Sequence, residues 1–248
     1  MGVCHGVIQS VAPGAVVIDV AHGLPPRDVR AGALVLRNTL PFVPQGVHLA
    51  VVDPGVGTKR RPVALRCGSR LLVGPDNGLL WLAAEASGGV EQAVDLSDSP
   101  HRLEPVSATF HGRDLFAPVT ARLALGDRLE EVGEPFAAAQ LARLELPVPT
   151  VETGAITGHV VYLDHFGNVQ VNLNRRHMEA AGFALGGSIE LEAASRHTCI
   201  YGRTFGDVPE GELVVYEDSY GMIAIALNGG HAGATLGVSV DQPVRLTR

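Results

Sequence analysis

Lysine occurs once in these 248 residues, at Lys59, and no basic cluster exceeds Lys59-Arg60-Arg61. With a net charge of −7, the chain lacks the positive footprint of a nucleic-acid binder. Cysteine is sparse as well. Cys4, Cys67 and Cys199 are odd in number and stand in no CxxC or zinc spacing, which points to free thiols in a reducing compartment. No apolar run reaches membrane-spanning length, and no basic region precedes an apolar one at the N-terminus. A soluble, cytoplasmic protein is therefore expected, without a membrane partner. The phosphate-cradling patterns GxGxxG and GxxxxGK(S/T) are missing too. The histidines fall at no metal-ligand spacing, so no metal is expected.

What the chain does contain is 46% hydrophobic residues, 30 glycines and 16 prolines, enough for a real core with many turns. The apolar run Val47–Val52 shows no alternation and reads as a buried parallel strand that ends at Asp53-Pro54-Gly55. Val16–Val20 reads as a short β-branched strand. Asp28 is placed to cap a helix whose Val29, Ala33, Leu36 and Leu40 share one face, with Pro41 stopping it. Val63–Leu65 and Leu71–Val73 flank Cys67-Gly68-Ser69 as a hairpin. A turn at Gly74–Gly78 leads into a helix over 79–86, a strand follows near Ala93–Leu96, and Thr109–Asp114 opens another helix. Strands alternating with helices predict a parallel, layered α/β (Rossmann-like) domain over residues 1–146.

After Leu144 the texture changes. Residues 147–154 read as a linker. Short alternating segments follow at His159–Leu163, Val169–Leu173, Ile189–Leu191, Leu213–Tyr216, Ile223–Leu227 and Val238–Val240. Separated by glycine-rich turns, they predict a small β-barrel over 155–248.

Three polar clusters lie at turns of the first domain: Asp53 with Arg60, Asp76-Asn77, and His111 with Arg113 and Asp114. A carboxylate, a guanidinium and an imidazole brought to one sheet edge could orient and deprotonate a water molecule. Each cluster also has a plain structural explanation: a salt-bridged strand exit, a turn, a helix start. In the second domain Asp164-His165-Phe166-Gly167-Asn168 is either a simple turn or a recognition loop. In the latter case asparagine would bond an adenine edge and an aromatic ring would stack on the base.

Taken together, IDVAHGLPPRDV, VVDPGVGTKRR, VGPDNGLL, FHGRDLFAP, DHFGNVQVN and SYGMIAIALN resemble the S-adenosylmethionine (SAM) hydroxide adenosyltransferases, relatives of the fluorinase and chlorinase. The resemblance spans nearly the whole chain. It implies an α/β domain, a β-barrel domain and a homotrimer with sites between subunits. It also implies a reaction in which water and SAM, as substrate and without a cofactor, give adenosine and L-methionine. The family's Asp-Arg-His triad falls on Asp53, Arg60 and His111. Asp164 and Ser219 would hold the methionine part, Phe166 and Asn168 would face adenine, and Pro54, Val56, Tyr220 and Gly229 would complete the pocket.

Halogenating relatives carry a tyrosine or similar residue where Asp53 stands, and the fluorinase has a serine where Gly112 stands. A carboxylate would repel a halide, so halide-dependent adenosyl transfer is the lesser alternative, marked by strict halide dependence. Family members also begin with a strand and an aspartate-containing turn that holds the ribose. Here Met1 falls in the helix that follows, so the first domain as given is expected to lack that strand and turn: either the start is placed too far downstream, the favoured reading, or the chain lacks part of its nucleoside pocket. A non-catalytic SAM- or adenosine-binding protein, made inert by the missing segment, is the alternative from another class, marked by tight binding without turnover.

Overall fold

Successive residues of a strand reach opposite faces of its sheet, and over Pro62–Cys67 that alternation is complete. Val63, Leu65 and Cys67 enter one apolar cluster, while Ala64 enters another on the far face. A strand buried on both sides must be covered by helices on both sides. The computed structural model, which describes residues 2–248, shows this arrangement. It divides into a unit ending at Leu144 and a unit Glu145–Arg248.

The first unit runs α1 (Gly2–Val11), α2 (Val29–Thr39), β1 (Val47–Leu49), β2 (Pro62–Cys67), β3 (Arg70–Pro75), α3 (Trp81–Ala86), β4 (Gln92–Asp95), α4 (Ala117–Ala124), α5 (Leu129–Val132) and β5 (Glu134–Pro135). The sheet order is β1-β3-β2-β4-β5. Asp28 caps α2, its Oδ1 accepting from the Ala31 amide at 2.8 Å. Leu40, Leu79, Leu80 and Ala83 cover one face of the sheet, and Leu115, Phe116, Val119 and Leu129 cover the other. Helix α1 packs outside α4 through Ile8, Ala117 and Ala121.

Layering is as expected, but strand direction is not. Among the described residues of this unit, only β1 and β3 pair in parallel; β2 and β3 form the hairpin, and β4 and β5 add antiparallel. Short reversals such as the one at Gly68 (φ +57°) join neighbours directly and leave no crossover helix between them. The strand leading to Asp53 is short and lies at the edge of the sheet, not at its centre, with Val51 44% exposed. Val16–Val20 forms no strand, and Val16 and Ile18 are exposed. β-Branched residues favour a pleated surface only where a neighbouring strand supplies one.

The second unit runs β6 (Thr150–Glu152), β7 (Ala155–Leu163), β8 (Val169–Asn174), α6 (Arg175–Ala180), β9 (Ser188–Glu192), β10 (Arg196–Tyr201), β11 (Leu213–Glu217), β12 (Met222–Leu227), α7 (Ala232–Leu236) and β13 (Pro243–Thr247). Strand β13 pairs with both β9 and β7, closing a seven-strand barrel. Ile156, Val171, Leu191, Val215, Ile225 and Leu246 fill its interior. Thr150–Glu152, within the stretch read as a linker, pairs with β7. The last strand is Pro243–Thr247 and not Val238–Val240. Among the described residues no helix is long and apolar enough to cross a membrane.

Candidate active site

Three local devices bring Asp53, Arg60 and His111 together. Beyond β1 the chain pairs once more, through the Ala50 amide to Val73, and then leaves the sheet. Asn77 Nδ2 donates to the Val52 carbonyl at 2.9 Å, while Asn77 Oδ1 accepts from the Leu79 amide. The residue immediately before Asp53 is thus tied to the turn after β3.

From Asp53 the chain doubles back. The Val56 amide bonds Asp53 O, and the Thr58 amide and hydroxyl both bond Gly55 O. Gly57 sits at φ +75°, and a Cβ there would stand 2.3 Å from the Ala108 carbonyl oxygen. Glycine is therefore required for that reversal to press against the loop three residues ahead of His111.

Arg60 joins the other two groups. Its Nε donates to Asp53 Oδ1 at 3.1 Å and its Nη2 donates to Asp53 Oδ2. Nη2 also lies 3.2 Å from His111 Nδ1. The Asp53 and Arg60 side chains are only 6% and 7% exposed. Phe116 supports the group from below, with its ring centroid 5.5 Å from the guanidinium and 6.5 Å from the imidazole, edge to face. It is supplied by a π-helical turn, Gly112–Phe116, that opens the helix after His111.

A guanidinium has no lone pair, so Nδ1 must accept in this contact and the neutral ring carries its hydrogen on Nε2. Burial, then the Arg60 charge, holds the His111 imidazole below its ordinary value against a smaller opposing pull from Asp53 and Asp114. The ring is kept neutral with Nε2 as a donor. A buried ion pair contributes little net stability, since desolvation offsets the attraction.

Asp114, 2% exposed, belongs to the supporting structure. Its carboxylate accepts from Arg113 Nε at 2.6 Å and the Ser107 amide at 2.8 Å, and its carbonyl accepts from the Leu103 amide. It fastens the loop before His111. Asp76, in the second expected cluster, binds Arg61 and the Ala142 amide and stands apart from the other three. Pro54 and Val56 lie in the reversal after Asp53, the first exposed and the second half-buried.

In the second unit, Asp164 closes its own turn. Its Oδ1 accepts from the Phe166 and Asn168 amides, and Oδ2 accepts from Asn168 Nδ2 at 2.8 Å. Phe166 is 68% exposed, and its ring centroid lies 3.8 Å from that of His165 with the planes tilted by 41°. Gly167 (φ +90°) packs on the His231 ring, and its carbonyl accepts from the Gly233 amide, which brings the turn beside the Gly229 segment. Ser219 and Tyr220 lie at the opposite end of β12, in a turn where Asp218 accepts from the Tyr220 and Met222 amides. Gln170 of β8 bonds Asp218 and links that turn to the sheet. Sequence reasoning missed Gly57, Phe116 and the Asn77–Val52 contact. Only the Asn77-Gly78 pair carried a visible signal, as a turn.

Two family models match the chain: SAM hydroxide adenosyltransferase N-terminal domain over residues 1–133 and its C-terminal domain over 158–245. An (R)-S-adenosyl-L-methionine hydrolase of Salinispora arenicola is 48% identical over 244 residues, covering 98% of this chain and 91% of that protein. A fluorinase of an Actinoplanes species is 30% identical, covering 99% of this chain and 92% of that protein. The crystal structure of an uncharacterized conserved protein from Thermotoga maritima superimposes with a TM-score of 0.92 at 35% identity, covering 100% and 94%.

Proposed function

The chain belongs to the SAM hydroxide adenosyltransferase family, and on that premise we propose that it hydrolyses S-adenosyl-L-methionine to adenosine and L-methionine. The oxygen of water bonds to C5′, the C5′–S bond breaks, and its electron pair returns to sulfur. Methionine then leaves as a neutral thioether, so no general acid is needed, and the proton of the water passes to solvent.

Asp53, Arg60 and His111 organise the water. Asp53 anchors Arg60 through two hydrogen bonds, and Arg60 fixes the His111 ring with its Nε2–H as a donor. A water oxygen facing such donors, beside the substrate's sulfonium charge, is favoured as hydroxide. Positioning of this kind is worth roughly 7–11 kcal/mol of barrier. The Arg60 bridge between Asp53 and His111 is the observation that carries this reading. Asp164, Phe166, Asn168, Ser219, Tyr220 and Gly229, with Pro54 and Val56, make the SAM pocket. The enzyme works as a cytoplasmic homotrimer with sites between subunits; three free cysteines and the outward Phe166 and Tyr220 support this. The fluorinase relative makes halide transfer the second reading, and the Asp53 carboxylate weighs against it.

The test is product analysis in ¹⁸O-water with each sulfonium epimer of SAM, since the relative's name specifies the (R) form, without and with chloride. Adenosine labelled at its 5′-oxygen, insensitive to chloride, is expected. A chlorinated nucleoside would move the chain to the halogenases, and tight binding without product would make it a binding protein.

A further inference from the structure

Gln170 is buried where strand alternation places a residue outside the barrel. Its neighbours Val169 and Val171, with Ile223 and Ile225 of the facing strand, enter the barrel core, so Gln170 and its partner Ala224 turn to the outer face. Gln170 is nevertheless only 7% exposed. Its Nε2 donates to Asp218 Oδ2 at 2.5 Å, whereas its Oε1 is buried and accepts from no donor among the described residues. The amide cannot be turned over, because that would set its oxygen against a carboxylate. The bond to a charged acceptor is thus offset by an unanswered oxygen, and the pair adds little net stability.

What the bond does is fix one carboxylate. Asp218 follows β11 and closes the turn to β12 twice over. Its amide donates to the Met222 carbonyl at 2.8 Å, and its Oδ1 accepts from the Tyr220 and Met222 amides at 2.8 and 3.0 Å. Oδ2 is held by Gln170. The register explains the reach. Gln170 stands opposite Ala224, two residues beyond Met222, and a diagonal neighbour at that spacing is within range of a long side chain. Ser219 and Tyr220, framed by these bonds, are exposed, Tyr220 by 52%. A buried anchor in the barrel wall therefore sets the backbone from which two outward side chains project.

We propose that Gln170 is a positioning residue for the methionine part of the substrate: by holding Asp218 Oδ2 it fixes the turn that presents Ser219 and Tyr220. The proposal rests on the SAM-binding role given above to that turn, and adds to it the residue that sets its geometry. Every contact it uses lies within the second unit. Gln170 itself touches no substrate atom. It serves recognition and not bond breaking, which falls to Asp53, Arg60 and His111.

The test compares two ligands and a reversed pair. Gln170→Met keeps the length of the side chain but removes the donor. SAM KM should rise about tenfold, as for one lost hydrogen bond to a charged group, with kcat near the parent value. Adenosine, which lacks the methionine part, should bind by calorimetry as tightly as to the parent. Gln170→Glu combined with Asp218→Asn exchanges donor and acceptor across the same contact and should bring SAM KM back toward the parent. Gln170→Glu alone sets two carboxylates together and should bind SAM worst. SAM and adenosine weakening together would show a general loosening of the barrel, and an unchanged KM in Gln170→Met would show that the turn holds itself. A reversed pair as poor as Gln170→Glu alone would mean that SAM needs the charge of Asp218 and not its placement. Any of the three overturns the proposal. If the parent forms no adenosine, SAM Kd carries the same comparison and the hydrolase reading falls by itself; a parent that binds no SAM overturns both.

Discussion

The α-carbon of Gly57 faces the carbonyl of Ala108 so closely that a methyl group would stand 2.3 Å from that oxygen. One backbone contact therefore joins the Asp53–Arg60 reversal to the loop that delivers His111. Gly57→Ala must open this contact and also hold alanine at φ +75°. We expect a loss of roughly 1–3 kcal/mol of stability. Differential scanning calorimetry should show a lower Tm, and kcat should fall more than SAM affinity. An unchanged kcat would mean that the two segments are held in register by other contacts.

His111 is expected to act as an oriented donor, and glutamine can imitate that. In His111→Gln, Oε1 can accept from Arg60 while Nε2 donates to water; in His111→Ala neither is possible. The alanine variant should lose about 10²–10⁴-fold in kcat, with glutamine recovering a good part of it. Equal damage in both variants would mean that the ring takes the proton itself.

The pH profile follows from the same residue. The neutral ring is the form that accepts from Arg60, and its pKa is held below the ordinary 6.5. Activity should therefore persist through neutral pH and fall only as the pH drops through that depressed value. His111→Gln should lack this acid limb. A midpoint above 6.5 in a kcat–pH titration would contradict the assignment.

Asp53→Asn keeps the shape but removes the charge that Arg60 answers. SAM binding by calorimetry should be largely intact while turnover drops about 10²–10⁴-fold. Loss of binding with normal kcat at saturation would remove Asp53 from the chemistry.

Asp114 offers a check on the supporting loop. Arg113, with the Ser107 amide, holds its carboxyl below the ordinary 3.8 against burial. A carboxyl lowered in the folded state stabilises the protein above its unfolded value, and that contribution is lost as pH falls through the folded one. Melting temperatures of parent and Asp114→Asn should differ at pH 6 and converge below about pH 4. A constant gap would show that the charge is not what the loop needs.

The sequence was most legible where structure is local. Asp28 caps its helix, Gly68 turns its hairpin, and Asp53-Pro54-Gly55 ends its strand; each depends on a few adjacent residues. The layered first unit and the barrel also follow from element order and turn spacing. Partnership between strands was not legible. The run Val47–Val52 looks the same at a sheet's edge as at its centre, and Val16–Val20 is as β-branched as a paired strand. Residue types suggested that Asp53, Arg60 and His111 could meet. What brings them together, however, is Gly57 against Ala108 and Phe116 beneath Arg60, contacts across some fifty positions that leave no local pattern.

Barrel closure has a bearing on how the second unit comes into being. The seam joins Ala155 to Thr247, partners roughly ninety positions apart, and every other strand of the ring lies between them in the chain. Such a seam must overcome a large loss of chain freedom before it gains any contact, and folds dominated by distant pairings assemble over milliseconds to seconds. Until β13 docks, β7 and β9 each present a bare hydrogen-bonding flank, and a growing or half-folded chain is open to pairing with a neighbour. Once the ring is shut that hazard is gone, so protection from aggregation is a property of the finished barrel and arrives with its final strand.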